Sequence, residues 1–491
     1  MSETSFVYVP LIILGSSAFG LFLFAKVFRL SNKVVSILSA IVFLVVLTDS
    51  LFNWFQRAQN NLDLTVQIAE NGAVVYRYSM SNGFVLMTTM LICILITIYS
   101  GEFLKEDDRF IYFYPLLMLS ISGLMGMLES DDLFSFVLFS ELSTLAASSM
   151  IAFRFEQDES VRAGFKYLIM NSIAMMMMLL GVYFAFQSGG QTGMKFYSGT
   201  PTLLSRIASG CFLLGFCLKA GVVPLHTWMP DVYGKAPSIV GSLLAGVVSK
   251  SALFIYPRVC LELGMNTVEL GAFLMIFSFP NMVLGSVRTL KQKHLKRFLS
   301  YSAISQTGYL MFVLGIGFYY AIEEAIFFGL FLFLVIAIMK SLAFLSTGLF
   351  EKLLKTDVID SLRGISNHIP IGAFSLSVSL AGLAGIPLLG GFIGKWFVFS
   401  AVLEANDGFA LFGLFVFIIS SLIGLGGYLP LLFNQYRKDE ITESNVKITS
   451  FFASLSIWIT LPLVLLTGMV IALGLAPGPF LSLIRSMSLG I

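Results

Sequence analysis

Four lysines, Lys219, Lys250, Lys340 and Lys395, lie within or beside long apolar runs rather than in loops. An ammonium group at the middle of a bilayer costs about 2.5 kcal/mol or more. Near a span end, snorkelling lowers that cost, and this is the bland reading of Lys219 and Lys395. Lys250 and Lys340 lie deeper, and four such residues are hard to explain as anchors. Intramembrane ionisable groups mark ion or proton paths. A fifth member is acidic: "DDLFSFVLFSELSTLAASS" carries Glu141 well inside an apolar run. A buried carboxylate needs a partner or a proton. Lys219 on another helix is one candidate; a neutral acid among Ser140, Ser143 and Thr144 is the alternative. Lysine suits proton transfer because burial and a neighbouring carboxylate shift its proton affinity, whereas arginine stays charged. Ser242, Ser249 and Ser251 are placed to help water bridge from Lys219 to Lys250.

Other candidates are ambiguous. His226 and Asp231 flank Trp228 in "PLHTWMPD" and read equally as a proton inlet or as interfacial structure. His294 lies in the basic stretch "KQKHLKRFLSYS", where topology and proton transfer are both open, and His368 before Pro370 shares that ambiguity. Glu129, Asp131 and Asp132 read as a solvated turn, or less simply as a cation-collecting mouth. Met175 to Met178 read as packing surface. Cys93, Cys211, Cys217 and Cys260 form no CxxC or Cys/His cluster, so no iron–sulfur cluster, metal site or disulfide is expected. No phosphate-binding loop and no haem or quinone signature stands out. No cofactor is expected in this chain.

The elements that must position these groups are membrane helices. The chain has 491 residues, of which 57% are hydrophobic and 12% charged, with mean hydropathy +0.89. Apolar runs of roughly 18 or more residues recur throughout, each long enough to span a bilayer, where a β-barrel would show short alternating segments. The reading is an all-α polytopic membrane protein with 14 crossings: 6–25, 34–55, 83–101, 110–129, 133–153, 163–187, 202–223, 236–260, 267–287, 298–318, 321–350, 370–403, 409–436 and 448–474. The first is read as a retained helix rather than a signal peptide. The seventh is expected to break at Gly221 to Pro224, and the twelfth within "AGIPLLGGFIGK". Such breaks are tolerated only inside protein or beside water. Leu62 to Ser79 alternates around Asn71-Gly72, which predicts a small outer β-hairpin. After the last crossing there is room for one short interfacial helix. With both termini outside, 20 Lys and Arg residues fall in inner loops and six outside, leaving only the four lysines of the path.

The stretches "FSELSTLAA", "CLKAGVVPLHTWMPDVYGKAPSIVGSLLAGVVSKSALF", "HLKRFLSYSAISQTGY", "MKSLAFLSTG" and "LAGLAGIPLLGGFIGKW" occur in this order. They resemble the antiporter-like subunits shared by respiratory complex I, membrane-bound hydrogenases and related ferredoxin-linked complexes, and Mrp-type Na+/H+ antiporters. The resemblance covers the fourth to thirteenth crossings. It implies two inverted five-helix repeats, crossings 4–8 and 9–13, with helices 7 and 12 broken. The divisions are then 1–109 (helices 1–3 and the hairpin), 110–260, 261–436 and 437–491 (helix 14 and tail). It also implies roles: Glu141 and Lys219 as a pair, Lys250 as the central station, Lys340 as the bridge and Lys395 as the terminal site. Two features depart from many relatives. No histidine precedes the bridging lysine in "LVIAIMKS", so water or Lys340 alone must bridge there. The path ends in lysine rather than glutamate, and the chain lacks a long lateral helix, which fits a shorter, internal-type subunit.

The functional expectation is a proton-translocating subunit of a multisubunit redox-driven complex in a prokaryotic cell membrane, with Na+ coupling left open. Its implied partners are other membrane subunits, including further antiporter-like ones, peripheral iron–sulfur redox subunits, lipid, and H+ or Na+, with no nucleic acid. The alternatives are an Mrp-type antiporter subunit without redox chemistry, a stand-alone solute carrier, and a scaffold whose lysines only fix packing. "PLHTWMPD" leans towards the redox branch. The charge asymmetry predicts that single cysteines at Glu3→Cys and Leu489→Cys both react with a membrane-impermeant maleimide in intact cells. Labelling of either only after permeabilisation would overturn the topology.

Overall fold

The computed structural model describes residues 9–60, 64–67, 75–78, 80–154, 156, 158–189, 202–437 and 456–485. Within the bilayer core, water cannot satisfy backbone groups, so a spanning segment closes its own hydrogen bonds as a helix. The helices are α1 (Val9–Val27), α2 (Asn32–Asn60), α3 (Met80–Phe103), α4 (Phe110–Glu129), α5 (Leu133–Ile151), α6 (Asp158–Gly189), α7 (Leu203–Ala220), α8 (Trp228–Lys235), α9 (Ser238–Leu243), α10 (Ser249–Glu262), α11 (Thr267–Leu290), α12 (Leu295–Tyr320), α13 (Glu323–Leu354), α14 (Pro370–Ala384), α15 (Gly390–Ala405), α16 (Gly408–Asn434), α17 (Ile457–Leu475) and α18 (Gly478–Arg485). Two short strands, β1 (Leu64–Gln67) and β2 (Val75–Tyr78), pair antiparallel with Leu64 opposite Tyr78. The expected turn at Asn71-Gly72 lies outside the described residues.

Among the described residues, 12 helical segments are long and apolar enough to cross a membrane. Two expected crossings fall outside that set. Ser300, Ser302, Ser305, Gln306 and Thr307 dilute the apolar character of α12. The expected crossing 370–403 divides into α14 and α15.

The spanning part of α13 is buried along its whole length, with α3, α9, α12, α14, α15 and α17 packed around it. Apolar side chains gain little from one another relative to lipid tails, so close backbone approach at small residues drives such packing. A Cβ at Gly123 of α4 would stand 2.4 Å from the Ser143 backbone nitrogen of α5. A Cβ at Gly285 of α11 would stand 2.5 Å from the Ser305 backbone nitrogen of α12.

Both expected breaks occur, with the same closure. Gly221 after α7 has φ 65°, and Gly385 after α14 has φ 88°, left-handed values that glycine adopts without penalty. The Val222 N–H donates to the Cys217 carbonyl at 2.8 Å, and the Ile386 N–H to the Ala381 carbonyl at 3.0 Å, each a Schellman-type helix end. The first break is stitched into the bundle, with Val223 N–H donating to Asn281 Oδ1 at 2.8 Å and Trp228 Nε1 to the Leu218 carbonyl at 2.9 Å. The expected crossing 236–260 contains a feature absent from the sequence reading. Between α9 and α10, Leu244–Val248 forms a π-helical turn that ends beside Lys250.

The turn between α4 and α5 corrects the solvated reading of its acids. Glu129, Asp131 and Asp132 are all buried. Asp132 caps α5 by accepting from Ser135 N–H at 2.7 Å. Asp131 pairs with Arg258 of α10 at 3.0 Å, and Arg258 also donates to the Leu128 and Ser130 carbonyls. An arginine expected in an outer loop thus ties α10 to the end of α4 and the turn that follows it.

The second break fixes its own packing requirement. A Cβ at Gly391 would lie 1.8 Å from the Gly382 carbonyl oxygen, and backbone cannot rotate away. Gly391→Ala should cost about 3 kcal/mol or more through overpacking. The check is the thermal midpoint of the detergent-solubilised chain, expected to fall clearly relative to a Gly15→Ala control, whose Cβ meets open space.

Candidate functional site

Lys219, on the last turn of α7 before the break, is half-buried. Its Nζ donates to Thr144 Oγ1 at 2.8 Å and more weakly to the Ser140 carbonyl at 3.4 Å, both on α5. Glu141 lies one helical turn from Thr144 and is half-buried. Among the described residues no ion pair joins Glu141 to Lys219, and Glu141 Oε2 is buried without a hydrogen-bond partner. The structure therefore brings Lys219 to the α5 turn that carries Glu141 while holding the pair apart. A cavity of about 20 Å³ lies at Lys219, lined also by Ser143, Thr144, Asn171, Val248 and Tyr256. By volume it has room for about one water.

Lys250 and Lys340 are fully buried. Lys250 Nζ donates to Ser249 Oγ at 3.1 Å, and Ser249 in turn donates to the Leu244 carbonyl at 3.0 Å, across the π-helical turn. Widened turns of this kind recur at functional sites. Lys340, on central α13, donates to the Leu299 carbonyl at 3.0 Å and to Ser302 Oγ at 2.6 Å, both on α12. Its neighbour Ser341 donates to the Ser242 carbonyl of α9 at 3.3 Å, joining the Lys250 and Lys340 elements. The hydroxyl of Ser242 is itself buried without a partner.

Lys395 sits on α15, five residues past its first glycine, and is half-buried. Its Nζ reaches back to the Ala384 carbonyl at the end of α14 (2.8 Å) and across to Ser421 Oγ of α16 (2.6 Å). The first contact places a cation at the negative end of a helix dipole. The same ammonium lies 5.7 Å from the centre of the Tyr309 ring, within cation–π range.

The three expected inlet residues separate. His226 is buried beside the first break, and its Nδ1 has no hydrogen-bond partner. Burial pushes the imidazole below its ordinary range, a hydrogen bond to the Pro224 backbone opposes that, and the Arg288 charge adds to the lowering. Asp231, on α8, forms ion pairs with Lys166 and with Arg297 (3.5 Å) and is half-exposed. His294 Nδ1 lies 2.8 Å from Asp357 Oδ1, half-exposed, where its strand bridge to Val358 ties the start of α12 to the segment after α13.

One cluster escaped the sequence reading. Lys296, expected in a loop, is buried and pairs with Glu351 at 2.9 Å, while donating to the Ala236 carbonyl at 3.2 Å. Glu351 also accepts from Ser238 Oγ at 2.9 Å. Its carboxylate lines a polar cleft of about 690 Å³ with Asp107, Arg109, Arg154 and Lys352. The signal was available: Glu351 is one of the few acids at the end of the longest apolar run. Among the described residues, no group of three or more His, Cys, Asp and Glu is placed to hold a metal. Removing one partner of a buried ion pair strands the other. Glu351→Ala should therefore destabilise the chain by about 3 kcal/mol, read as a fall in thermal midpoint that Glu351→Ala/Lys296→Met largely restores.

The profile of the NADH:quinone oxidoreductase/Mrp antiporter transmembrane family matches residues 130–424. NADH-quinone oxidoreductase subunit N of Pelagibacter ubique (strain HTCC1062) is 30% identical over 398 residues, covering 79% of this chain and 82% of that one. Among solved structures, a chain of the Mrp complex from Dietzia sp. DQ12-45-1b superposes with TM-score 0.84 at 20% identity, covering 98% of this chain and 97% of that one. A chain of the archaeal membrane-bound sulfane sulfur reductase superposes with TM-score 0.83 at 20% identity, with the same coverage of both chains. At such identities the structural likeness speaks for the fold. With the family profile spanning more than half of its length, this chain belongs to the NADH:quinone oxidoreductase/Mrp antiporter transmembrane family.

Proposed function

We propose that the chain is a proton-translocating membrane subunit of a multisubunit redox-driven complex, with Glu141, Lys219, Lys250, Lys340 and Lys395 as its transfer stations. One observation carries this reading. Each of the four lysines inside the apolar bundle is at least half-buried, and each donates to a neutral oxygen rather than to a carboxylate. A neutral partner set holds an ammonium without fixing it there, which a permanent ion pair would do.

In the proposed cycle, Lys219 holds a proton on Thr144 while Glu141 stands unpaired one turn away. A change of Lys219 rotamer closes the pair, and reopening it releases a proton through water towards Lys250. The elements that carry Lys250 and Lys340 are joined by the Ser341–Ser242 hydrogen bond; two ammonium groups there repel, and a proton arriving on one favours departure from the other. Lys395 is the terminal acceptor. His226, buried and with an unfilled ring nitrogen, is the favoured inlet residue; Asp231 and His294 serve beside it through their surface networks.

The finer architecture belongs to the same proposal: 14 crossings, both termini outside, β1 and β2 as an outer cover, and inverted repeats over 110–260 and 261–436. The matched glycine closures at Gly221 and Gly385 support the repeats, as do the matched approaches of Gly123 to Ser143 and Gly285 to Ser305. The redox centres would be carried by partner iron–sulfur subunits, further antiporter-like subunits would lie alongside, and the membrane would be a prokaryotic inner membrane. The name of the Pelagibacter relative favours the redox branch. A second reading, an Mrp-type Na+/H+ antiporter subunit, draws on the superposition with the Dietzia complex.

Lys250→Ala should leave the complex assembled on a native gel while proton uptake into inverted membrane vesicles drops to background. Normal uptake in that variant would sink the relay. Mass spectrometry of the gently purified complex separates the two readings: iron–sulfur subunits identify the redox branch, and small membrane subunits alone identify the antiporter branch.

A further inference from the structure

No histidine precedes Lys340 in "LVIAIMKS", but the structure places hydroxyl groups between Lys340 and Lys395. Lys340 Nζ donates to Ser302 Oγ at 2.6 Å. Ser302 is in turn hydrogen-bonded to the Tyr428 hydroxyl of α16. At the other end, Ser420 Oγ donates to the Tyr309 hydroxyl at 3.3 Å, and Lys395 donates to Ser421 Oγ at 2.6 Å with its charge over the Tyr309 ring. Ser302, Tyr309, Ser420 and Tyr428 are all buried. Gln306 stands against Tyr428 in the interval.

The spacing is that of two facing helices. Ser302 and Tyr309 are seven residues apart on α12, which is two turns along one face, and Tyr428 is seven residues beyond Ser421 on α16. Between Ser421 and Tyr428, α16 carries only leucine, isoleucine and glycine, while α12 adds Gln306. A buried hydroxyl needs only one partner to be satisfied. Ser302 has two, an ammonium donor on one side and a phenol on the other, which is what a relay requires.

We infer that Ser302 and Tyr428, continued by Tyr309 and Ser420, form the proton bridge from Lys340 to Lys395 in this chain. This rests on the proton-transfer reading of the two lysines. In the step, an N–H bond of charged Lys340 breaks as an O–H bond forms on Ser302, and the original Ser302 proton passes to Tyr428. Tyr428 releases its own proton to water in the gap before Tyr309. That water gives up a proton as an O–H bond forms on Tyr309, the original Tyr309 proton passes to Ser420, and the original Ser420 O–H bond breaks as an N–H bond forms on neutral Lys395. One positive charge moves from Lys340 to Lys395, and nothing is oxidised or reduced.

The test uses the whole complex in inverted vesicles, energised by whichever electron donor sustains the wild type. Tyr428→Phe keeps the ring and removes only the hydroxyl. Initial proton uptake should fall roughly tenfold, with unchanged complex content and a larger solvent deuterium isotope effect. Ser302→Ala should behave likewise, and Ser302→Thr, which restores a hydroxyl, should recover uptake. Lys340→Ala and Lys395→Ala serve as reference variants. If both stop uptake while Tyr428→Phe and Ser302→Ala match the wild type in rate and isotope effect, the hydroxyl bridge is wrong and the lysine path stands. If the two lysine variants themselves pump normally, the proton-transfer reading fails and the bridge falls with it.

Discussion

An ammonium group inside a hydrocarbon-embedded bundle must be surrounded by oxygen atoms, and most of the architecture follows from supplying them. Lys219 takes its oxygens from α5, Lys340 from α12, and Lys395 from α14 and α16. Lys250 is the exception, resting on its neighbour Ser249 and on a locally widened helix. Three of the four lysines thus bind one helix to another. The acceptors are hydroxyls and carbonyls, strong enough to hold a buried charge without the permanence of a salt bridge. Where the fold wants permanence it uses full ion pairs, as in Arg258 with Asp131 and Lys296 with Glu351.

Supplying those oxygens requires backbone out of its regular ladder. The helix end at Gly385 frees the Ala384 carbonyl for Lys395, and the π-helical turn before Ser249 closes both the backbone N–H and the hydroxyl of Ser249 onto the Leu244 carbonyl. Irregular backbone at membrane depth survives only when enclosed by protein or wetted. Here it is enclosed: α11 reaches the first break through Asn281, and Gly391 presses against Gly382 at the second. Close helix approach at Gly123 and Gly285 brings hydroxyl-bearing faces together, with Ser120 near Ser143 and Ser286 bonded to Ser305. Small residues therefore serve packing and polarity together.

Much of this could be read along the chain. Membrane helices announce themselves through composition, because a bilayer imposes one length and one polarity. Both helix breaks were legible because glycine and proline carry their backbone constraints locally. The lysines stood out for the same reason that they are costly. Less legible were features set by helix rotation. The acids at 129–132 looked solvated and are buried, because nothing local announces that Arg258, more than a hundred residues away, covers them. Lys296 looked like a loop cation, and its burial depends on the end of α13 arriving above it. The π-helical turn has no composition of its own, since "LAGVV" reads as ordinary helix.

By itself, then, the sequence determined the class of protein, the places where the helices break and the four lysines and one glutamate set within apolar runs. Each of these follows from short-range chemistry: hydropathy, the special backbones of glycine and proline, and the cost of charge in hydrocarbon. The tertiary structure decided who meets whom. It set Lys219 on Thr144 rather than directly on Glu141, gave Lys340 the Ser302 and Tyr428 hydroxyls, and turned Lys395 back under α14. Those partners come from helices far apart in the chain, and a few tens of degrees of helix rotation would exchange one hydroxyl for another. Only the packing of small residues at the helix contacts fixes that rotation, and no local pattern encodes it.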